Sequence, residues 1–225
     1  MLIPIHAFAR SATMAALAAD AAPSSPPHVQ ARAPPRRWQN PARDSLVEGA
    51  ASRQPEAVRV EALKALASFA EDEDNKQPMW QTDLAVRGVI VAGVASTQPN
   101  AVRVPALTAL YNLACDAANR NPMWEDDWRA REAIVACAAS TQSELVRVQA
   151  LKTLAKLAHD DANAWLIWDD EATREIIVAA AAATQPRTVR VEALTALKHL
   201  AADAQARGGM AECLGVKADT SEKGE

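Results

Sequence analysis

The side chains able to do chemistry are few, and their spacing assembles none of the usual centres. His159 and His199 are far apart in sequence, and no Cys/His cluster has metal-ligand spacing. Asp126-Asp127 and Asp169-Asp170 offer carboxylates, but neither pair lies in the alternating oxygen-ligand loop with a central glycine that holds calcium. Cys115 sits near the end of an alanine-rich segment, where a small inert side chain is expected. There is no glycine-rich phosphate loop and no nucleophile elbow. A reactive centre needs a nucleophile, a base and oxyanion donors together. The sequence therefore predicts no catalytic, cofactor-binding or metal-binding residue, and a protein that is not an enzyme.

Two ladders of larger side chains are more regular. Arg59, Arg103, Arg147 and Arg190 recur in the segments Val58 to Leu63, Val102 to Leu107, Val146 to Leu151 and Val189 to Leu194. Asp72, Asp116, Asp160 and Asp203 recur as regularly, so ion pairing inside the frame is the expectation for the arginines, ahead of a phosphate ladder. Trp80, Trp124 and Trp168 could stack bases, but their fixed place and large apolar area predict packing between units. Acidic residues follow them, including Asp83, Glu125 and Asp170. These complement helix N-termini and repel phosphate, so no nucleic-acid partner is expected.

The elements that position these residues repeat with a period of about 44. The four arginines are 44, 44 and 43 residues apart, a spacing characteristic of stacked helical units. In one unit, Leu84 to Ala95 is nearly all apolar, as in a helix with neighbours on several sides. A second helix from about Pro99 to Ala117 carries Val102, Ala106, Leu110 and Leu113 as a stripe. Thr97, Thr141 and Thr184 are the expected N-caps, with Thr141 and Glu144 forming a capping box. Asn75, Asn119 and Asn163 are the expected left-handed helix stops, and Pro78 and Pro122 bar continuation. The single 43-residue step reflects a residue missing between Trp168 and Arg174, expected in a loop.

Composition agrees with this helical reading. Nearly half of the 225 residues are hydrophobic but only 4% are aromatic, and alanine suits closely packed helices. The net charge of −4 argues against a general polyanion binder. Three cysteines without paired spacing fit an intracellular, cytoplasmic setting, and no apolar run reaches the length of a membrane span. Residues 1–40 are rich in Pro, Ala and Arg and read as a disordered leader. Their four arginines against one acidic residue also resemble an organelle transit peptide. Residues 208–225 read as a flexible tail.

The run Val-Arg-x-x-Ala-x-x-Ala-Leu at Val58 to Leu66 and Val189 to Leu197 resembles the second helix of HEAT repeats. Leu110-Tyr111-Asn112-Leu113-Ala114 is similar to the end of the third helix of armadillo repeats. Both belong to one α-solenoid class with units of this length. The resemblance covers about residues 41–206 and leans towards armadillo, since Pro122 to Asp127 leaves room for a short first helix. It implies an all-α fold: a right-handed α-solenoid of four repeats of about 44 residues, at about 41–79, 80–123, 124–167 and 168–207. It also implies peptide binding along a groove. In well-studied armadillo proteins that groove carries an asparagine ladder, with a tryptophan four residues before each asparagine. Here the asparagine place holds Ser68, Asn112, Lys156 and His199, and the tryptophan place holds Lys64, Thr108, Lys152 and Thr195. A groove of this chain must therefore bind by other contacts.

Those eight positions vary between units while the packing positions stay constant, as a repeat binder requires. The expected function is a non-catalytic protein-interaction module that takes a peptide or helix of a partner along Lys64, Ser68, Thr108, Asn112, Lys152, Lys156, Thr195 and His199. The third unit is the most basic, so acidic side chains on the partner are preferred. Alternatives are a structural fragment or terminal part of a longer array, or an organelle-localised regulatory subunit. Open repeat ends also leave room for self-association.

Overall fold

The computed structural model describes residues 42–126 and 128–207. The expectations for the leader and the tail, and for Asp127 and Cys213, lie outside them. The described chain is all-helical. Its elements are α1 (Ala42–Ala50), α2 (Glu56–Phe69), α3 (Glu73–Gln77), α4 (Leu84–Val94), α5 (Asn100–Ala114) and α6 (Ala117–Asn121). They continue with α7 (Trp128–Ala138), α8 (Glu144–Leu157), α9 (Asp161–Asp169), α10 (Glu171–Ala181) and α11 (Arg187–Arg207). Five-residue π-turns at Pro78–Thr82 and Pro122–Asp126 follow α3 and α6. No described helix is long and apolar enough to cross a membrane.

The helices form two rows. In one, α2 packs on α5, α5 on α8 and α8 on α11; in the other, α1 meets α4, α4 meets α7 and α7 meets α10. Residues at helical spacing explain this layering. Val102, Ala106, Leu110 and Leu113 of α5 are all fully buried, and Leu63, Leu107 and Leu151 fill the spaces between long helices. Alanines at the crossings allow close approach. At Gly93 of α4 even a methyl group would come within 2.9 Å of the Ala106 Cβ.

Trp80 and Trp124 are buried, and Trp168 is partly buried against the same core. Each ring also carries a guanidinium at 5.5 to 5.7 Å: Arg87 over Trp80, Arg131 over Trp124 and Arg174 over Trp168. Such cation–π pairs tie the short connecting helices to the row that follows.

Four local expectations are corrected. Two arginines of the Val-Arg-Val segments reach the turn of the following unit: Arg59 donates to Gln98 Oε1, and Arg103 to Gln142 Oε1 at 2.7 Å. Arg190 instead donates to the Ala183 carbonyl in the turn of its own unit, at 3.1 Å. Asp72, Asp116 and Asp160 instead cap α3, α6 and α9, accepting from the amides of Asp74, Ala118 and Asn163. A carboxylate at a helix start is already held by backbone donors. The second correction concerns Asn75, Asn119 and Asn163, which lie inside α3, α6 and α9. They act through their buried amides, each donating to the carbonyl six residues earlier, those of Phe69, Leu113 and Leu157. They satisfy the open end of the preceding helix rather than turning the chain left-handed.

The third correction is at the inner turn. α5 starts after Pro99 and α8 after Ser143, and neither cap makes a side-chain hydrogen bond. The expected Thr141–Glu144 box gives way to a bond from the Thr188 hydroxyl to Glu144, one unit on. The fourth concerns the short step. The Asp83 amide reaches the Pro78 carbonyl, five residues back, at 2.9 Å, whereas the Asp170 amide reaches Leu166, four back, at 3.1 Å. The missing residue is thus the extra residue of a π-turn, lost inside a helix and not in a loop.

Candidate functional site

α5, α8 and α11 line up the variable positions of the long helices on one side, around a cleft of about 340 Å³. Of the eight residues expected there, six line it: Thr108 and Asn112 from α5, Lys152 and Lys156 from α8, and Thr195 and His199 from α11. Lys64 and Ser68 of α2 do not. Lys64 is exposed and pairs with Glu61 at 2.8 Å, and α2 sends only the following Glu71 to the rim. Gln149, His159 and Glu192, which share the variable lane, complete the wall together with Tyr111 and Ala155. Tyr111 was hidden from sequence reading because its counterparts in the neighbouring units, Ala67 and Ala155, are small packing residues.

The hydrogen bonds already made decide which groups remain for a ligand. Thr108 donates its hydroxyl to the Val104 carbonyl at 3.0 Å, and Thr195 to Val191 at 2.9 Å. Both hydroxyls offer a ligand acceptor capacity alone. Asn112 donates to the Ala67 carbonyl at 2.9 Å, so its amide partly serves to tie α5 to α2. Lys152 and Lys156 are different. Neither is ion-paired among the described residues, although Lys156 Nζ lies 5.7 Å from the centre of the Tyr111 ring. Half-buried ammonium groups without a carboxylate favour an anion brought from outside. Glu71 and Glu192 also line the cleft, so its charge is mixed.

His159 and His199 of the cleft lining stack on each other, ring centres 3.8 Å apart and tilted by 36°. Burial, then Lys156 and Arg120, pushes His159 below its ordinary value of 6.5. Burial, then His159, Lys198 and Lys156, does the same to His199. Two neutral imidazoles beside lysines supply donors and acceptors without adding charge near neutral pH. The Tyr111 hydroxyl is pushed up by burial and by Cys115, so it stays protonated. Among the described residues no group of three or more His, Cys, Asp or Glu is placed to hold a metal ion. Cys137 lies elsewhere, buried, where its sulfur accepts from Arg103 at 3.0 Å and its thiol faces the Val94 carbonyl at 3.6 Å. Burial pushes that thiol up despite the arginine, which suits a packing role.

The class that fold and cleft define is an all-α protein with helical-repeat-like packing and a mixed polar cleft along one row. No protein-family model matches the chain, and no curated protein matches it. Among solved structures, the crystal structure of an engineered protein is similar, with a TM-score of 0.59 at 23% identity over 79% of this chain and 72% of that one. A second engineered protein gives 0.56 at 27% identity over 69% of this chain. This chain spans 36% of that second structure's length. These are likenesses of fold.

Proposed function

We propose that the chain is a non-catalytic protein-interaction module, a right-handed α-solenoid of four armadillo/HEAT-type repeats that docks an acidic segment of a partner protein. The observation that carries this reading is the cleft of α5, α8 and α11, where Lys152 and Lys156 stand without carboxylate partners among the described residues. The regular start of α2, α5, α8 and α11, at residues 56, 100, 144 and 187, supports the repeat reading. Carboxylates of the partner meet Lys152 and Lys156, and its backbone amides meet the threonine oxygens of the cleft.

The test is fluorescence anisotropy of a labelled, glutamate-rich peptide against a neutral peptide of equal length. The acidic peptide binds more tightly, and the advantage shrinks as salt screens it. Reversing both lysines, Lys152→Glu with Lys156→Glu, weakens binding at least tenfold, which is about 1.4 kcal/mol. Equal binding of the two peptides, or charge reversal without effect, defeats the reading. Tighter binding of a single-stranded oligonucleotide than of the acidic peptide defeats it as well.

A further inference from the structure

Two apolar series on the long helices change their exposure only at the ends of the row. The first is Val58, Val102, Val146 and Val189, one each on α2, α5, α8 and α11. Val102, Val146 and Val189 are fully buried, yet Val58 is 45% exposed. The second is Leu63, Leu107, Leu151 and Leu194. Here the first three are fully buried and Leu194 is 52% exposed. The valine is thus covered wherever a long helix precedes it in the row, and the leucine wherever one follows. Among the described helices none precedes α2 in this row and none follows α11.

A neighbour of Leu194 behaves likewise. Val191, one turn before Leu194, is exposed where Val104 and Val148 are partly buried. The open side of α2 therefore presents the residues by which α5, α8 and α11 sit on the helix before them. The open side of α11 presents those by which α2, α5 and α8 receive the helix after them. One molecule carries both halves of an interface that it already forms three times internally.

We propose that a second copy of this chain docks head to tail, the α2 face around Val58 on the α11 face around Val191 and Leu194. Such a contact uses different surfaces on the two molecules, so each pair keeps one free face of either kind and growth continues unless a ring closes. Terminal units of a repeat stack ordinarily have polar outer faces, and exposed apolar faces mark association sites. The interface is separate from the cleft and holds whether or not the cleft binds an acidic segment.

Sedimentation velocity on the full chain tests this, over a hundredfold range of concentration. The average mass rises past that of a dimer as concentration increases. Val58→Glu and Leu194→Glu change exposed residues, and unchanged melting confirms that each variant folds. Each variant alone stays monomeric. Mixed in equal amounts, they form a one-to-one pair and nothing larger, because each retains the face the other lacks. A wild-type chain that stays monomeric throughout overturns the proposal, whether residues outside 42–207 or another protein cover the faces. So does a dimer that one variant abolishes and the other leaves intact, since that pattern belongs to a twofold contact.

Discussion

Arg103 of α5 donates from Nη1 to Gln142 Oε1 at 2.7 Å, spanning 39 residues to the turn before α8, and Arg59 makes the same reach to Gln98. Arg103 is almost fully buried, and its Nε has no hydrogen-bond partner. Gln142, with the Cys137 sulfur on the other Nη, therefore answers a guanidinium almost out of water's reach. Gln142→Ala is expected to cost about 1–3 kcal/mol, the penalty of a buried donor left open. Urea unfolding measures it. Peptide binding in the cleft stays unchanged, because the pair lies outside the cleft wall. A loss below a few tenths of a kcal/mol would mean that the arginine finds another acceptor.

The frame was readable because its signal is one-dimensional. Val102, Ala106, Leu110 and Leu113 face one way on any α-helix, and a stripe repeated at fixed distance has few places to pack. The partner of Arg103 was not readable. Asp116 recurs with the arginine just as Gln142 does, and only the structure shows the aspartate already occupied as the cap of α6. The cleft was partly readable. Thr108, Asn112, Lys152, Lys156, Thr195 and His199 share a register and come together. Lys64 and Ser68 share it too, but the cleft lies around α5, α8 and α11, and Lys64 is answered locally by Glu61. Register alone does not show where along the row a cleft opens.

Two glycines of α4 make opposite predictions from one substitution. A Cβ on Gly93 would stand 2.9 Å from the Ala106 Cβ and 3.1 Å from Leu63 Cδ1, while one on Gly88 meets nothing within 4 Å. Alanine in a helix gains about 0.5–1 kcal/mol over glycine through reduced backbone entropy. Gly88→Ala should gain that amount. Gly93→Ala should lose stability, because the methyl of Ala106 is fixed to its backbone and overpacking costs about 1–3 kcal/mol. Chemical denaturation of the two variants decides it, and equal stabilisation would show that α4 and α5 are further apart.

The histidine pair sets an acid limit on stability. His159 and His199 both lie below 6.5 in the folded chain, first through burial and then through nearby cations. Around them stand Lys156, Arg120 and Lys198, with Glu71 and Glu192 on the cleft rim. The unfolded chain binds protons at the ordinary imidazole value, so it holds more of them in the interval just below 6.5. Stability is then complete above that value and falls as pH drops through it. Melting followed from pH 7.5 to 5.5 should show this fall, and the double variant His159→Gln with His199→Gln should flatten it. An equally steep fall in the variant would assign it to other groups.

The π-turns supply the last prediction. Pro78–Thr82 closes with a bond from the Asp83 amide to the Pro78 carbonyl, and Thr82 adds a bond from its hydroxyl to that same carbonyl at 2.9 Å. In the unit one residue shorter, α9 runs straight through Leu166 and Trp168 to Asp169. Arg174 still covers Trp168 at 5.6 Å, six residues away, as Arg87 covers Trp80 at 5.5 Å from seven. The extra residue is thus taken up within one turn and leaves the ring–guanidinium contact in place. Deleting Thr82 should convert the π-turn to an α-turn, keep a single cooperative unfolding transition and cost no more than about 2 kcal/mol, within the range of ordinary substitutions. Deleting Thr108 instead rotates the rest of α5 by about 100°, carrying Leu110 and Leu113 off the core, and should abolish folding. Circular dichroism melting of the two deletions separates them, and equal damage from both would show that the π-turn is required in its own right.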